Sequence, residues 1–205
     1  MTVELAARHD AYAADYDEQV RAYGAYLTEV LFGLVYEWAT PGQRLLDLGI
    51  GTGLSAALFA KAGLNVYGMD FSPAMLDLCR AKGTTVDLRQ QDLQQIPWPY
   101  PGESFDHAVC CGVFHFIGAL DTLFGETDRV LRPGGLFAFT TKDPLTAPAE
   151  DLPFERTVSD GLVVYNHSPT YIDALIQDRR LDRMKVMRCF VGEDIFSAWV
   201  VQKQS

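Results

Sequence analysis

Three glycines, Gly49, Gly51 and Gly53, stand between the apolar stretch RLLDL and the helical pattern LSAALFAK. Glycine at such a junction lets the backbone turn tightly and lets a ligand approach the main chain. The helix start that follows offers free N–H groups to a negative group. A dinucleotide fingerprint, G-x-G-x-x-G, would place the third glycine one position later. Asp47 lies inside the strand pattern just before the loop. Its charge would repel a pyrophosphate and attract an ammonium or sulfonium group. Asp70 closes the next strand pattern, NVYGMD, about 20 residues on, where an acid accepts hydrogen bonds from ribose hydroxyls. The spacing describes a pocket for a nucleoside with a zwitterionic tail and no phosphate, and S-adenosylmethionine fits that description.

The surrounding rhythm predicts the elements that hold these residues. Residues 3–38 read as helix in two segments, the second placing Leu27, Leu31, Leu34, Val35 and Trp38 on one face before Pro41-Gly42 ends it. Then RLLDLG, NVYGMD, TVDLRQQD, SFDHAVCCGVF and GLFAFTT read as strands. They alternate with the helices LSAALFAKAG, SPAMLDLCRAKG and GALDTLFGETDRVL. Ser72-Pro73 and Ser168-Pro169 are helix starts, with serine as N-cap and proline at the first helical position. Residues 143–160, with Pro144, Pro148, Pro153 and several acids, read as a long functional loop. GLVVYNH reads as a short strand, and DRMKVMRCFV and IFSAWVVQ flank GED as a hairpin. The fold class is therefore α/β: a three-layer, Rossmann-like, doubly wound sheet under an N-terminal helical cap. It is mostly parallel, with one antiparallel strand near the C-terminus. One domain over 1–205 is expected, divided into cap (1–40), core (41–142), loop or lid (143–167) and C-terminal helix and hairpin (168–205).

With these elements in place, the sequence resembles the class I S-adenosylmethionine-dependent methyltransferases of the small-molecule type. LLDLGIGTG is similar to their first motif, VYGMDFSPAML to the second, QQDLQQIPW to the third, FDHAVCCGVFHFI to the fourth and RVLRPGGLFAF to the fifth. The resemblance runs in order over about residues 40–140. Ile50 departs from it, standing where a cysteine or small residue is more usual. The resemblance implies that Asp47 and the backbone from Gly49 through Ile50 and Gly51 to Gly53 hold the amino-acid tail. It implies that Asp70 binds the ribose and that Phe71 and Met75 face the adenine. Asp92 would accept from the adenine amino group and Leu93 would supply a backbone donor, with Gln91 beside them. Cys111 and Gly112 would line the floor near the sulfonium, and RPGG would be a structural turn. Tyr12 and Tyr16 match a Y…YD feature of the helical cap. The cofactor implied is S-adenosyl-L-methionine, with S-adenosyl-L-homocysteine as product.

Methyl transfer from a sulfonium is an in-line displacement whose donor is already activated. The protein therefore needs mainly to position the nucleophile and exclude water. A general base helps only where the acceptor must lose a proton, and His115 and His167 are the two histidines to consider. Lys142 and Asp143 end the fifth strand and are expected to border the pocket. The acceptor, expected to be a small molecule, would be walled by the cap and residues 143–167. Tyr12, Tyr16, Phe154 and Tyr165 would give it a partly apolar site.

Composition narrows the alternatives. A net charge of −10, from 17 basic and 27 acidic residues, disfavours nucleic acid. RRLDRMKVMR reads as a solvated strand surface. The four cysteines form no C-x-x-C pair and no zinc spacing, so a reducing compartment and no metal are expected. MTVELAARHD carries acids and no apolar core, and no run is long enough to span a bilayer, which predicts a cytoplasmic protein, monomeric or homodimeric. Two rival readings remain. One is a protein that binds the cofactor without turnover. The other is an NAD(P)-dependent oxidoreductase on the same layer architecture, against which the shifted glycine and Asp47 argue.

Overall fold

The computed structural model describes residues 10, 13–145, 152–159 and 161–205. The helix expected over 3–9, Tyr12, and the loop expected at 146–151 and Asp160 lie outside those residues. Along the chain run α1 (Tyr16–Ala22), α2 (Leu27–Val35), β1 (Arg44–Leu48), α3 (Leu54–Lys61), β2 (Asn65–Asp70), α4 (Pro73–Lys82) and β3 (Asp87–Gln90). They are followed by β4 (Phe105–Cys110), α5 (Asp121–Val130), β5 (Leu131–Lys142), β6 (Phe154–Ser159) and β7 (Leu162–His167). The chain ends with α6 (Pro169–Asp178), β8 (Leu181–Val191) and β9 (Asp194–Lys203).

Seven strands form one sheet in the order β3-β2-β1-β4-β5-β9-β8. β1 to β5 are parallel and β9 runs antiparallel between β5 and β8. The order reverses between β1 and β4, and ligands of open α/β sheets bind beyond the strand ends at such a point. β1 shows why the sheet is buried on both faces. Leu45 joins the apolar layer of α2, α3 and α4 with Leu31, Phe59 and Leu76. Its neighbour Leu46 points the other way, into the layer of α5 and α6 with Phe124, Phe137 and Ile172. Both are fully buried. Leu46→Ala is therefore expected to cost about 2–5 kcal/mol. Phe190→Ala, on the exposed outer strand β8, should stay within about 0.5 kcal/mol. Urea unfolding of the two variants checks this.

The serine N-caps form as expected. Ser72 Oγ accepts from the Met75 N–H at 3.1 Å and Ser168 Oγ from the Tyr171 N–H at 3.2 Å. Leu27, Leu31 and Val35 of α2 are buried, while Leu34 and Trp38 pack at its margin, Trp38 in a closing 3₁₀ turn. RPGG is looped out within β5: Phe105 pairs with Leu131, and two residues later His107 pairs with Leu136. One expectation fails. Residues 154–159 are not loop but strand β6, paired antiparallel with β7 as a separate two-stranded sheet. The prolines and acids upstream suggest a loop, yet FERTVS has β-branched residues and follows Pro153 directly. A proline withholds only its own donor, and the Pro153 carbonyl still accepts from the Ser168 N–H at 3.0 Å.

Candidate functional site

The loop from Gly49 to Gly53 folds over the end of β2. The N–H groups of Gly49 and Ile50 both donate to the Met69 carbonyl, at 2.8 and 3.0 Å. Ile50, the departure from the family pattern, turns its side chain down onto β2, where a Cβ on Gly68 would come within 2.4 Å of it. A glycine in β2 thus makes room for the larger residue, and the loop backbone keeps its course. The next N–H, that of Gly51, donates to Asp70 Oδ2 at 2.9 Å, while the Ser72 N–H donates to Asp70 Oδ1 at 2.9 Å. Asp70 is buried, and burial, the largest influence, raises its pKa against backbone hydrogen bonds from Ser72, Gly51 and Phe71.

Two adjoining cavities open at this point, of about 580 and 50 Å³. Tyr16, Gly49, Gly51, Cys111 and Gly112 line both. Asp70, Phe71, Met75 and Leu93 line the smaller, and Ile50 and His115 the larger. Gly51 and Gly112 have φ of +53° and +68°, and a Cβ on either would meet nothing within 4 Å. Both glycines therefore leave open space on the cavity side. The Gly112 N–H is held by Thr140 Oγ1 at 2.8 Å.

Four expected positions lie off these surfaces. Gly53 caps α3, packed against Cys79, and Gln91 binds the Asp92 and Gln95 carbonyls. Asp92 Oδ1 accepts from the Gln94 N–H at 3.0 Å. Asp47 sits beneath the floor rather than in it, accepting a short hydrogen bond from Ser55 Oγ. Ser55 is the residue that reaches the larger cavity, and the sequence reading misses it.

Burial pushes the Asp47 carboxyl up to about 7, against the Ser55 hydrogen bond and with help from Asp70. A raised carboxyl binds a proton in the fold that the unfolded chain has already released. Its effect is destabilising and grows as pH rises from about 4 to about 7. Asp47→Asn should therefore flatten this part of the stability profile and raise the ligand-free Tm above pH 7. Thermal melts from pH 5 to 8 read both.

The cap closes over the loop through α1. Thr52 Oγ1 donates to Asp17 Oδ1, and Lys82 Nζ pairs with Asp17 Oδ2 at 2.6 Å. Asp17 thereby ties the cap both to the glycine loop and to α4, and holds the neighbouring Tyr16 over both cavities. Desolvation, then the nearby Cys111, Asp70 and Asp17, push the Tyr16 hydroxyl up to about 12, so it stays protonated.

The outer part of the cleft is apolar and continues into a chamber of about 340 Å³ that Lys142 borders. His115 stands in its wall, its ring 4.0 Å from that of Phe116 and 5.6 Å from that of Phe196. Ser159 at the end of β6 and Asp194 at the start of β9 complete the wall. His167 lines none of these cavities. It is fully buried, with Nε2 3.0 Å from the carbonyls of both Ile117 and Gly118, and burial lowers its pKa. It is packed away from the cleft. Phe154 and Tyr165, expected to face an acceptor, instead meet edge to face at 5.4 Å beside His167. Asp143 is turned inward onto Ser197 Oγ at 2.7 Å. The cysteines are free thiols, and burial raises those of Cys110 and Cys111 far above the usual range. Among the described residues no group of acids, histidines and cysteines could hold a metal, and no helix is long and apolar enough to cross a membrane.

Comparison with known proteins agrees with this geometry. The family model described as Methyltransferase domain matches residues 46–139. Phosphatidylethanolamine N-methyltransferase of Cereibacter sphaeroides is 31% identical over 153 residues, covering 69% of this chain and 71% of that protein. Malonyl-[acyl-carrier protein] O-methyltransferase of Serratia marcescens is 33% identical over 101 residues, covering 49% and 39%. The chain spans about half the length, or less, of several curated relatives. The crystal structure of Burkholderia thailandensis 1,6-didemethyltoxoflavin-N1-methyltransferase superposes with a TM-score of 0.73 at 17% identity, covering 98% of this chain and 90% of that one. Sheet order, glycine loop and these similarities together place the chain in the class I S-adenosylmethionine-dependent methyltransferase family.

Proposed function

We propose that the protein binds S-adenosyl-L-methionine in the cleft at the β1/β4 switch point and methylates a small-molecule acceptor held under the cap. The observation that carries this is the continuity of the cleft. A narrow acidic pocket at Asp70 opens, past two glycines with free space above them, into an apolar chamber. The residues fit the donor. Asp70 faces the smaller cavity as an acceptor for the ribose, Phe71, Met75 and Leu93 give an apolar slot for a base, and Gly51 leaves room at the tail end. Ser55, whose hydroxyl donates to Asp47, presents its oxygen lone pairs as a polar contact for an ammonium group. When bound, the donor supplies a methyl group already activated by its sulfonium.

The chain's own part is to position and to exclude water. Tyr16 and the clip at Asp17 close the cap over Cys111 and Gly112, and Phe116, Val20 and Phe196 keep the acceptor chamber apolar. The base-like residue nearest the chamber is His115, placed in the wall. His167 is not assigned a role in catalysis. The protein is read as cytoplasmic, monomeric or homodimeric, with reduced thiols.

The test is incubation with methyl-labelled S-adenosylmethionine and a panel of small hydroxyl, amine, thiol and carboxylate acceptors. Label moving to an acceptor supports the reading. Saturable binding of S-adenosylhomocysteine with no label transfer to any acceptor would make the protein a binding module. Hydride transfer with a nicotinamide cofactor would overturn the assignment.

A further inference from the structure

We infer that the acceptor is an apolar-bodied carboxylate and that Lys142 is the residue that selects it, an inference that rests on the proposed methyl-transfer reading. Among the described residues that line the cleft and its outer chamber, Lys142 is the one lysine or arginine. It ends β5, and its ammonium is 2.7 Å from Asp194 Oδ2. The two partners are unequally placed: the lysine side chain is 11% exposed and the aspartate 41%. Asp194 opens β9 beside the turn at Gly192 and Glu193, so its carboxylate can turn toward water at small cost. The lysine is held by its stem, whose four methylenes would have to leave the apolar wall before the ammonium could swing away.

An incoming anion therefore replaces Asp194 on a cation that stays where it is. A cationic acceptor would have to compete with Lys142 for Asp194 while bringing a like charge beside the buried ammonium. The neighbouring Asp143 directs its Oδ2 away from the lysine's partner, accepting from Ser197 Oγ at 2.7 Å with an Arg188 nitrogen at 3.5 Å. The remaining wall, including Val20, Leu162, Val164 and Phe196, offers apolar surface to the body of the molecule.

Register fixes where the anion sits relative to the reacting end. Cys110 pairs with Phe139, so Thr140, which holds the Gly112 N–H, lies level with the floor of the cleft. Lys142 is two residues further along the same face of β5, about 7 Å outward. The lysine holds the far end of the acceptor, and the methylated atom lies toward Gly112.

Octanoate, octanol and octylamine serve as probes of equal chain length. Their binding is measured by calorimetry on the full chain saturated with S-adenosylhomocysteine. Octanoate should bind about tenfold tighter than either of the others. Lys142→Met, which keeps the apolar stem, should abolish that preference while leaving S-adenosylhomocysteine binding unchanged. Asp194→Asn should strengthen octanoate binding by freeing the ammonium. The inference is overturned if octylamine or octanol binds as well as octanoate, if octanoate gives no measurable binding, or if Lys142→Met keeps the preference. Loss of S-adenosylhomocysteine binding to the wild-type chain would instead strike the methyl-transfer reading itself.

Discussion

Asp70→Ala is expected to weaken S-adenosylhomocysteine binding by about a hundredfold. Hydrogen bonds to a charged group are worth about 1.5–3 kcal/mol each, and a ribose diol offers two of them. The sequence alone suggests that an acid at a strand end can be lost with little effect on folding. The structure changes that expectation. Asp70 is buried and accepts from backbone N–H groups that include those of Gly51 and Ser72, so alanine leaves these donors unpaired and loosens the loop. Part of that cost is offset by removing a carboxylate that burial disfavours. The ligand-free Tm should fall modestly, by an amount corresponding to about 1–3 kcal/mol. Melts of the variant with and without S-adenosylhomocysteine separate the two effects. A full ligand-induced shift in Asp70→Ala would mean that Asp70 is not the ribose acid.

A side chain at Gly112 should be at least as damaging to binding while sparing the fold. Gly112 lines both cavities, and a Cβ there meets no protein atom. Gly112→Leu places an isobutyl group in the space the ligand needs, and an affinity loss of about a hundredfold or more is expected. Its left-handed φ of +68° adds backbone strain of about 1 kcal/mol. Gly83→Ala is the matched control. Gly83 has φ +65° and open space around its Cβ position, but it closes α4 away from the cleft. It should show the strain and no change in ligand affinity. Equal affinity losses in the two variants would remove the steric account of Gly112.

The parts of the site legible in the sequence are those written by local backbone chemistry. The glycines, Asp70, Met75 and Leu93 sit at strand ends and helix starts that hydrophobic periodicity marks, and the sheet order then brings them together. The parts that escaped depend on contacts between distant segments. Ser55 lies inside a helix pattern, and only the burial of Asp47 behind it makes it the polar surface of the cleft. Asp194 and the turn before it arrive because β9 inserts beside β5, which no local signal in GED announces. His167 precedes a Ser-Pro helix start and so resembles a residue facing a ligand. The carbonyls of Ile117 and Gly118, some fifty residues away in sequence, bury it instead. β6 was hidden by the prolines and acids before it, although its pairing partner β7 was visible in GLVVYNH.

The most direct test of the central claim is titration calorimetry of the full chain with S-adenosylhomocysteine, with NAD run in parallel. The account predicts one site with a Kd near the micromolar range, about −8 kcal/mol, and no comparable heat with NAD. No binding of S-adenosylhomocysteine, or tighter binding of NAD, would contradict it.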